Sequence, residues 1–241
     1  MNNKSLLVSL TFDDGWKSHI QNAVPILHEY GVTGTFYIIS DRLDDRLYPM
    51  YMNVSDIKFL SHNDHEIGSH TRSHKHLLQL SNEDAWDEIL KGKKDLEKLD
   101  IMPTSFAYPF GEWNPDIVKL VREAGFSTAR SIVDGYNRSD TDPLLLRCVH
   151  VVEKTTIEQI EHAVEMAQKQ DSWLILMFHQ IESAQILREN GMIYGTTPDL
   201  LSSILTHLQE SQARVLTVEE AMRVMVSRSI SSLDLVAEAA D

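Results

Sequence analysis

The chain has 241 residues, 42% of them apolar, enough for one sizeable core; by length alone it fits a single α/β barrel or two small domains. Its formal charge of -14 at pH 7 argues against nucleic acid and anionic membrane surfaces as main partners. The single cysteine, Cys148, excludes an intrachain disulfide and reads as a small buried hydrophobe.

No segment approaches the roughly 18 consecutive apolar residues of a membrane span. Ahead of the first strand stands only Lys4, without the apolar region of a leader peptide. Read as given, the chain is expected to be cytoplasmic.

Ser5-Leu6-Leu7-Val8-Ser9-Leu10-Thr11-Phe12 is apolar and extended in character and predicts a buried strand. Asp13 and Asp14 stand at its carboxyl end. Successive side chains of a strand point to opposite faces, so both acids serve one site only if the chain leaves strand geometry there, which Gly15 permits. One carboxylate is then able to bind a metal while its neighbour stays off it and takes a proton from water.

A helix over 18–29 and a strand over 33–39 come next, then a helix over 53–62 and a short strand, His65-Glu66-Ile67-Gly68-Ser69. It runs into a loop or helical turn, His70-Thr71-Arg72-Ser73-His74, where two histidines four apart would share a face on one helical turn and chelate one ion. In zinc proteases with this His spacing a Glu beside the first His is the base. Position 71 is Thr, so Asp13 is the expected base. His62, His65 and His76 read as surface or supporting histidines. Two imidazoles and a carboxylate leave coordination positions open, as a catalytic Zn²⁺ site requires and a closed structural site does not.

Helices near 81–99, 114–124, 155–170, 198–210 and 217–227 then alternate with strands near 105–108, 126–130, 145–151, 173–178 and 213–216. Thr155-Thr156-Ile157-Glu158 and Thr217-Val218-Glu219-Glu220 have the form of capping boxes, and Asn114-Pro115 and Thr197-Pro198 place Pro at a first helical position. Residues 131–144, rich in Asp, Gly and Ser, read as a long loop beside the site. Regular β/α alternation with motifs at strand ends predicts an α/β fold, a distorted (β/α) barrel of seven or eight parallel strands. Residues 1–226 are expected to form the barrel domain and 227–241 a C-terminal tail.

These motifs resemble the NodB-like polysaccharide deacetylases, a carbohydrate esterase family of metal-dependent N- and O-deacetylases. Thr11-Phe12-Asp13-Asp14-Gly15 looks like its first motif, His70-Thr71-Arg72-Ser73-His74 its second, Phe106-Ala107-Tyr108-Pro109-Phe110-Gly111 its third and Leu176-Met177-Phe178-His179 its fifth. The resemblance implies Asp13 as base, Asp14, His70 and His74 as ligands of one divalent ion, most often Zn²⁺, and His179 as general acid. It implies oxyanion and substrate contacts from Tyr108, Pro109 and Phe110, with Met177 beside the acetyl group, and an acetylated oligo- or polysaccharide as substrate. Ala107 stands where the family carries an Arg that orients the base; Arg130 is the candidate replacement. Phe110 stands for the more common Tyr. The fourth motif is weak, leaving Asp134, Asp140 and Asp142 as candidates to orient His179. A binding-only relative and a hydrolase of a small cyclic amide are the alternative readings.

Overall fold

Strand β1 (Leu7–Phe12) is buried along its whole length because it is hydrogen-bonded on both edges and covered on both faces. Around it run β2 (Thr35–Ile38), β3 (Glu66–Ser69), β4 (Ser105–Ala107), β5 (Thr128–Asp134), β6 (Leu146–His150), β7 (Trp173–Phe178) and β8 (Arg214–Val215). The helices are α1 (Val24–Glu29), α2 (Val54–His62), α3 (Asn82–Glu97), α4 (Pro115–Glu123), α5 (Ile157–Lys169), α6 (Ala184–Glu189), α7 (Pro198–Glu210) and α8 (Val218–Glu238). A computed structural model describes residues 5–43 and 46–238, with side chains through Arg228; Lys4 and the end of the expected tail lie outside the described residues.

All strand pairings are parallel. The order β2-β3-β4-β5-β6-β7-β1 closes through β1–β2, so seven strands form the barrel and β8 is added beside β1. β1 serves both neighbours in succession: Leu7 and Val8 pair with β8, Thr11 and Phe12 with β2. Closure therefore rests on a short register at the carboxyl end of β1, where the acidic segment begins.

Alternation along the strands sorts the core. Val8, Leu10 and Phe12 of β1 and Leu174, Leu176 and Phe178 of β7 pack outward with α1, α5 and α7, and Phe12 stacks between Phe36 and Phe178. The opposite parity, Leu7, Leu146, Cys148, Trp173, Ile175 and Met177, forms a separate inner cluster. Buried Cys148 has its thiol pKa pushed up to about 11 by desolvation, in keeping with a packing role.

Three sequence expectations are corrected. β5 continues through Ser131, Ile132 and Val133 to Asp134, so Arg130 lies inside the strand, and the loop begins only at Gly135. A register shift between Arg130 and Asp134 lets the longer strand follow β6 while Ile132 and Val133 stay exposed. The capping box at α5 lies one residue later than expected: Thr156 is the cap and Gln159 reaches back to its N–H. The box at Thr217 and Glu220 forms as read. Residues 70–74 are not helical, as described below. Among the described residues no helix is long and apolar enough to cross a membrane.

Candidate active site

At the carboxyl ends of the strands a cavity of about 370 Å³ is lined by Asp13, Asp14, His70, His74, Phe110, His150, Met177 and His179, with Trp16, Ile132 and Tyr194 at its walls. Strand parity explains most of this convergence. Asp13 continues the inward parity of Leu7, Ser9 and Thr11; His150 continues that of Leu146 and Cys148, and His179 that of Ile175 and Met177. Asp14 has the outward parity, and its left-handed backbone, φ 72, followed by Gly15 at φ 75, returns its carboxylate to the same mouth.

The second motif meets Asp14 through strain rather than helix. Thr71 has φ 65 and His74 φ 59, and Thr71 Oγ1 accepts the His74 N–H at 3.0 Å. With Asp14 and Phe110, half of the eight non-glycine residues of positive φ among the described residues lie at this site, as expected where a scaffold enforces a functional geometry. The scaffold is α3. Buried Glu88 accepts the Ser73 N–H at 2.9 Å and the Ser73 hydroxyl at 2.7 Å, its carbonyl accepts the Arg72 N–H at 3.0 Å, and Gly92 lets the helix touch the Thr71 backbone.

The resulting donors lie within 4.8 Å of one another. His70 Nε2 and His74 Nε2 are 3.1 Å apart, with Asp14 Oδ1 3.7 and 3.5 Å from them. His70 Nδ1 donates to the Ala107 carbonyl at 2.8 Å, which leaves Nε2 as a lone pair facing the cluster, and the Trp16 indole donates to Asp14 Oδ2 at 2.9 Å. Burial, with His70 beside it, holds the His74 pKa down to about 3, and burial lowers that of His70, so both imidazoles are in the neutral form a metal ion takes. Two nitrogens and one oxygen, with His70 Nδ1 and Asp14 Oδ2 each held by a second partner, fit a Zn²⁺-type ion with coordination positions to spare. Asp14, His70 and His74 are thus a possible metal site.

Beside it, Arg130 Nη2 donates to Asp13 Oδ2 and Arg130 Nη1 to the Ser131 carbonyl at 3.2 Å. Arg130 is fully buried and its guanidinium lies over the Tyr37 ring. Burial alone would raise the Asp13 pKa, but the charge and hydrogen bond of the Arg130 guanidinium outweigh it and bring it down to about 2. Asp13 Oδ1 is buried without a partner. Ala107 and Arg130 are directly paired across β4 and β5, so Arg130 enters the barrel from the neighbouring strand at the level of Ala107, whose small side chain leaves it room.

Around the rest of the cavity, Phe110 sits at φ 57 in a turn bonded through the N–H groups of Gly111 and Glu112, and its ring stacks on His76 at 3.7 Å. The Tyr108 hydroxyl turns away to the Leu144 carbonyl at 3.0 Å, and Pro109 is buried in the turn. Met177 Sδ meets Arg130 Nη1 at 2.9 Å. His179 packs against Tyr194 at 5.7 Å and its Nδ1 is buried without a partner. None of the three candidate acids hydrogen-bonds it: Asp134, at the end of β5, and Asp140 are exposed, and Asp142 caps Leu144 and pairs with Arg122. His150, Trp16 and Tyr194 were not singled out from the sequence. Strand parity marks His150, whereas Tyr194 arrives on the 182–195 segment, closed by hydrogen bonds between Thr196 and Gln180 and Glu182, with no signal in the sequence.

A seven-stranded parallel barrel with a possible metal cluster at its carboxyl mouth defines a (β/α)-barrel protein that carries its chemistry on strand ends. The chain belongs to the polysaccharide deacetylase family, whose model matches residues 2–129. It is 27% identical over 222 residues to a peptidoglycan-N-acetylglucosamine deacetylase of Bacillus cereus, covering 92% of this chain and 90% of that one. It is 24% identical over 130 residues to a chitooligosaccharide deacetylase of a Bradyrhizobium species, covering 53% and 56%. Among solved structures, the peptidoglycan deacetylase PdaC from Bacillus subtilis superposes with a TM-score of 0.62 at 17% identity over 97% of this chain and 98% of that one. The Streptococcus pyogenes deacetylase PplD in complex with acetate gives 0.61 at 21% identity over 65% and 69%. At such identities these likenesses are of fold.

Proposed function

We propose that this chain is a divalent-metal-dependent hydrolase, using Zn²⁺, that removes N-acetyl groups from an N-acetylglucosamine-containing oligo- or polysaccharide. The observation that carries this reading is the meeting of Asp14, His70 and His74 with the buried Asp13–Arg130 pair and His179 in one cavity. A divalent ion held by the three donors supplies Lewis acidity at the acetyl carbonyl and acidifies water beside it.

The side chains divide the remaining tasks. Asp13 accepts the proton of the attacking water at Oδ1, its oxygen without a partner, while Arg130 holds Oδ2 and keeps the carboxylate from swinging toward the Asp14 cluster. The Phe110 N–H, which the turn bonds of Gly111 and Glu112 do not use, is the donor we assign to the charge that develops on the carbonyl oxygen. His179 protonates the leaving nitrogen, without which an amide expels a poor leaving group. Arg130 on Asp13 supports turnover over a binding-only role, for which Ala107 is the main ground. The N-acetyl sugar named in the relatives, peptidoglycan-N-acetylglucosamine and chitooligosaccharide, supports the substrate class.

Acetate release from acetylated chito-oligosaccharides and from peptidoglycan, lost on chelation and restored by Zn²⁺, tests the proposal. Release that survives complete metal removal would refute the metal dependence, and release from neither glycan would refute the substrate class.

A further inference from the structure

The chain just past β7 is gripped from one side by a single turn. β7 ends at Phe178, whose carbonyl takes the last ladder bond of β1, from the Asp13 N–H at 2.9 Å. Beyond it the backbone of residues 179–181 has lost β1 as a partner. Three side chains at the π-helical turn His19–Ala23 replace it. His19 Nε2 donates to the His179 carbonyl at 2.7 Å, Ser18 Oγ accepts the Ile181 N–H at 3.2 Å, and Asn22 Nδ2 donates to the Ile181 carbonyl at 2.7 Å. The wide turn is what brings these three together, and π-turns are concentrated at functional sites.

His19 is the informative member. It is completely buried, edge-on to Phe12 at 5.4 Å and close to Phe36. Burial holds its pKa down to about 4, so the neutral ring carries one proton; the carbonyl can only accept, which places that proton on Nε2. Nδ1 is then a buried acceptor without a partner. A leucine or phenylalanine would fill the same apolar recess without burying an unpartnered ring nitrogen. What the imidazole adds is its bond to the backbone of His179. That bond matters because the His179 ring has no partner on its own Nδ1 and none of Asp134, Asp140 and Asp142 reaches it. Its backbone, and Tyr194 against its face, fix where the ring stands.

We propose that His19 is a positioning residue, which through its bond to the His179 carbonyl sets the general-acid imidazole over Asp13 and Asp14, with Ser18 and Asn22 completing the clamp. The inference rests on the acid role given to His179 above. Because the clamp follows the acidic segment by only a few residues, base and acid are referenced to one rigid stretch of chain rather than to two loops.

The test compares an N-acetylated chito-oligosaccharide, whose amine must be protonated to leave, with 4-nitrophenyl acetate, whose phenolate leaves unaided. His19→Leu should lower kcat on the glycan by roughly 10- to 100-fold, the cost of an ångström-scale misplacement, with KM within about 3-fold and the aryl ester nearly unaffected. His19→Gln, which presents an N–H at similar reach, should recover most of the loss. Equal losses on both substrates, wild-type glycan turnover in His19→Leu, or no recovery in His19→Gln would each overturn the clamp. If His19→Leu does not fold, Asn22→Leu must show the same substrate split or the proposal fails. His179→Ala separates the two levels: a split there without one in His19→Leu removes only the clamp, and no split in His179→Ala removes the acid assignment beneath it.

Discussion

Arg130 and Asp13, 117 positions apart in the chain, form a buried ion pair in which the guanidinium serves two oxygen acceptors, Asp13 Oδ2 through Nη2 and the Ser131 carbonyl through Nη1. Asp13 thereby keeps one oxygen committed and one free, which is the state a base beside a cation site needs. Although burial works against its charge, Asp13 keeps the guanidinium protonated by raising its pKa.

Complete burial sets the outcome of substitution. Arg130→Ala strands a carboxylate inside the barrel and should lower stability by about 3–5 kcal/mol as well as abolish turnover. Arg130→Lys keeps the charge but not the planar reach to both acceptors, and should fold while losing roughly ten-fold or more in kcat. Combining Asp13→Asn with Arg130→Met removes both charges and should recover stability without activity. Urea unfolding beside steady-state kinetics reads all three; wild-type kcat in Arg130→Lys would show that the two-acceptor geometry is irrelevant.

The two adjacent acids should separate cleanly. Asp13→Asn is expected to retain metal and lose roughly 10²–10⁴ in rate, the range of a general base. Asp14→Asn, His70→Ala and His74→Ala should lose metal while the barrel stays folded, since these side chains lie at the mouth and not in the core clusters. Elemental analysis of the purified variants decides; full occupancy in either histidine variant would remove the ligand assignment.

Gly92 is expected to matter to the site without touching it. A Cβ there would lie 2.6 Å from the Thr71 carbonyl carbon and 2.8 Å from the Arg72 nitrogen, so α3 or the ligand loop must move. Alanine ordinarily favours a helix by about 1 kcal/mol over glycine. Here overpacking should reverse the sign, costing about 1–3 kcal/mol and weakening metal binding together with it. An unchanged metal affinity in Gly92→Ala would show that the loop holds its shape without α3.

The barrel and the grouping of Asp14, His70 and His74 were legible in the sequence because each rests on a local pattern: apolar strands of fixed parity, and acids or histidines at their ends. Arg130 was legible once Ala107 was seen to lack a guanidinium, since the following strand is the adjacent one. Its neighbours were less so. Ile132 and Val133 looked like loop because Asp134-Gly135 follows them, and only the register shift against β6 keeps them in strand. The convergence of His70 and His74 was expected from a loop or helical turn, and it depends on two left-handed residues and on Glu88, 15 positions beyond Ser73, which no local pattern announces. None of the three acids expected to orient His179 hydrogen-bonds it; its backbone carbonyl accepts from His19, a contact no local pattern announces.

The final prediction concerns acid stability and uses a histidine outside the site. His65, at the entry to β3, accepts the Gly34 N–H on Nδ1 at 3.1 Å and lies edge-on to Phe36 at 5.3 Å. Burial holds its pKa down to about 4, against about 6.5 in an unfolded chain. Between those values the unfolded state binds more protons, so stability rises with pH across the window and is lost as pH falls from 6.5 toward 4. Each pH unit of the gap is worth about 1.4 kcal/mol, which makes the contribution of His65 on the order of 3 kcal/mol. His65→Asn keeps an acceptor for Gly34 but has no proton to gain. Its stability should therefore fall less steeply than that of the wild type between pH 6.5 and 4, whatever packing it loses at neutral pH. Urea midpoints for both proteins across that range give the comparison, in which the titration of the site histidines cancels; parallel curves would show that His65 is not protonated on unfolding in this window.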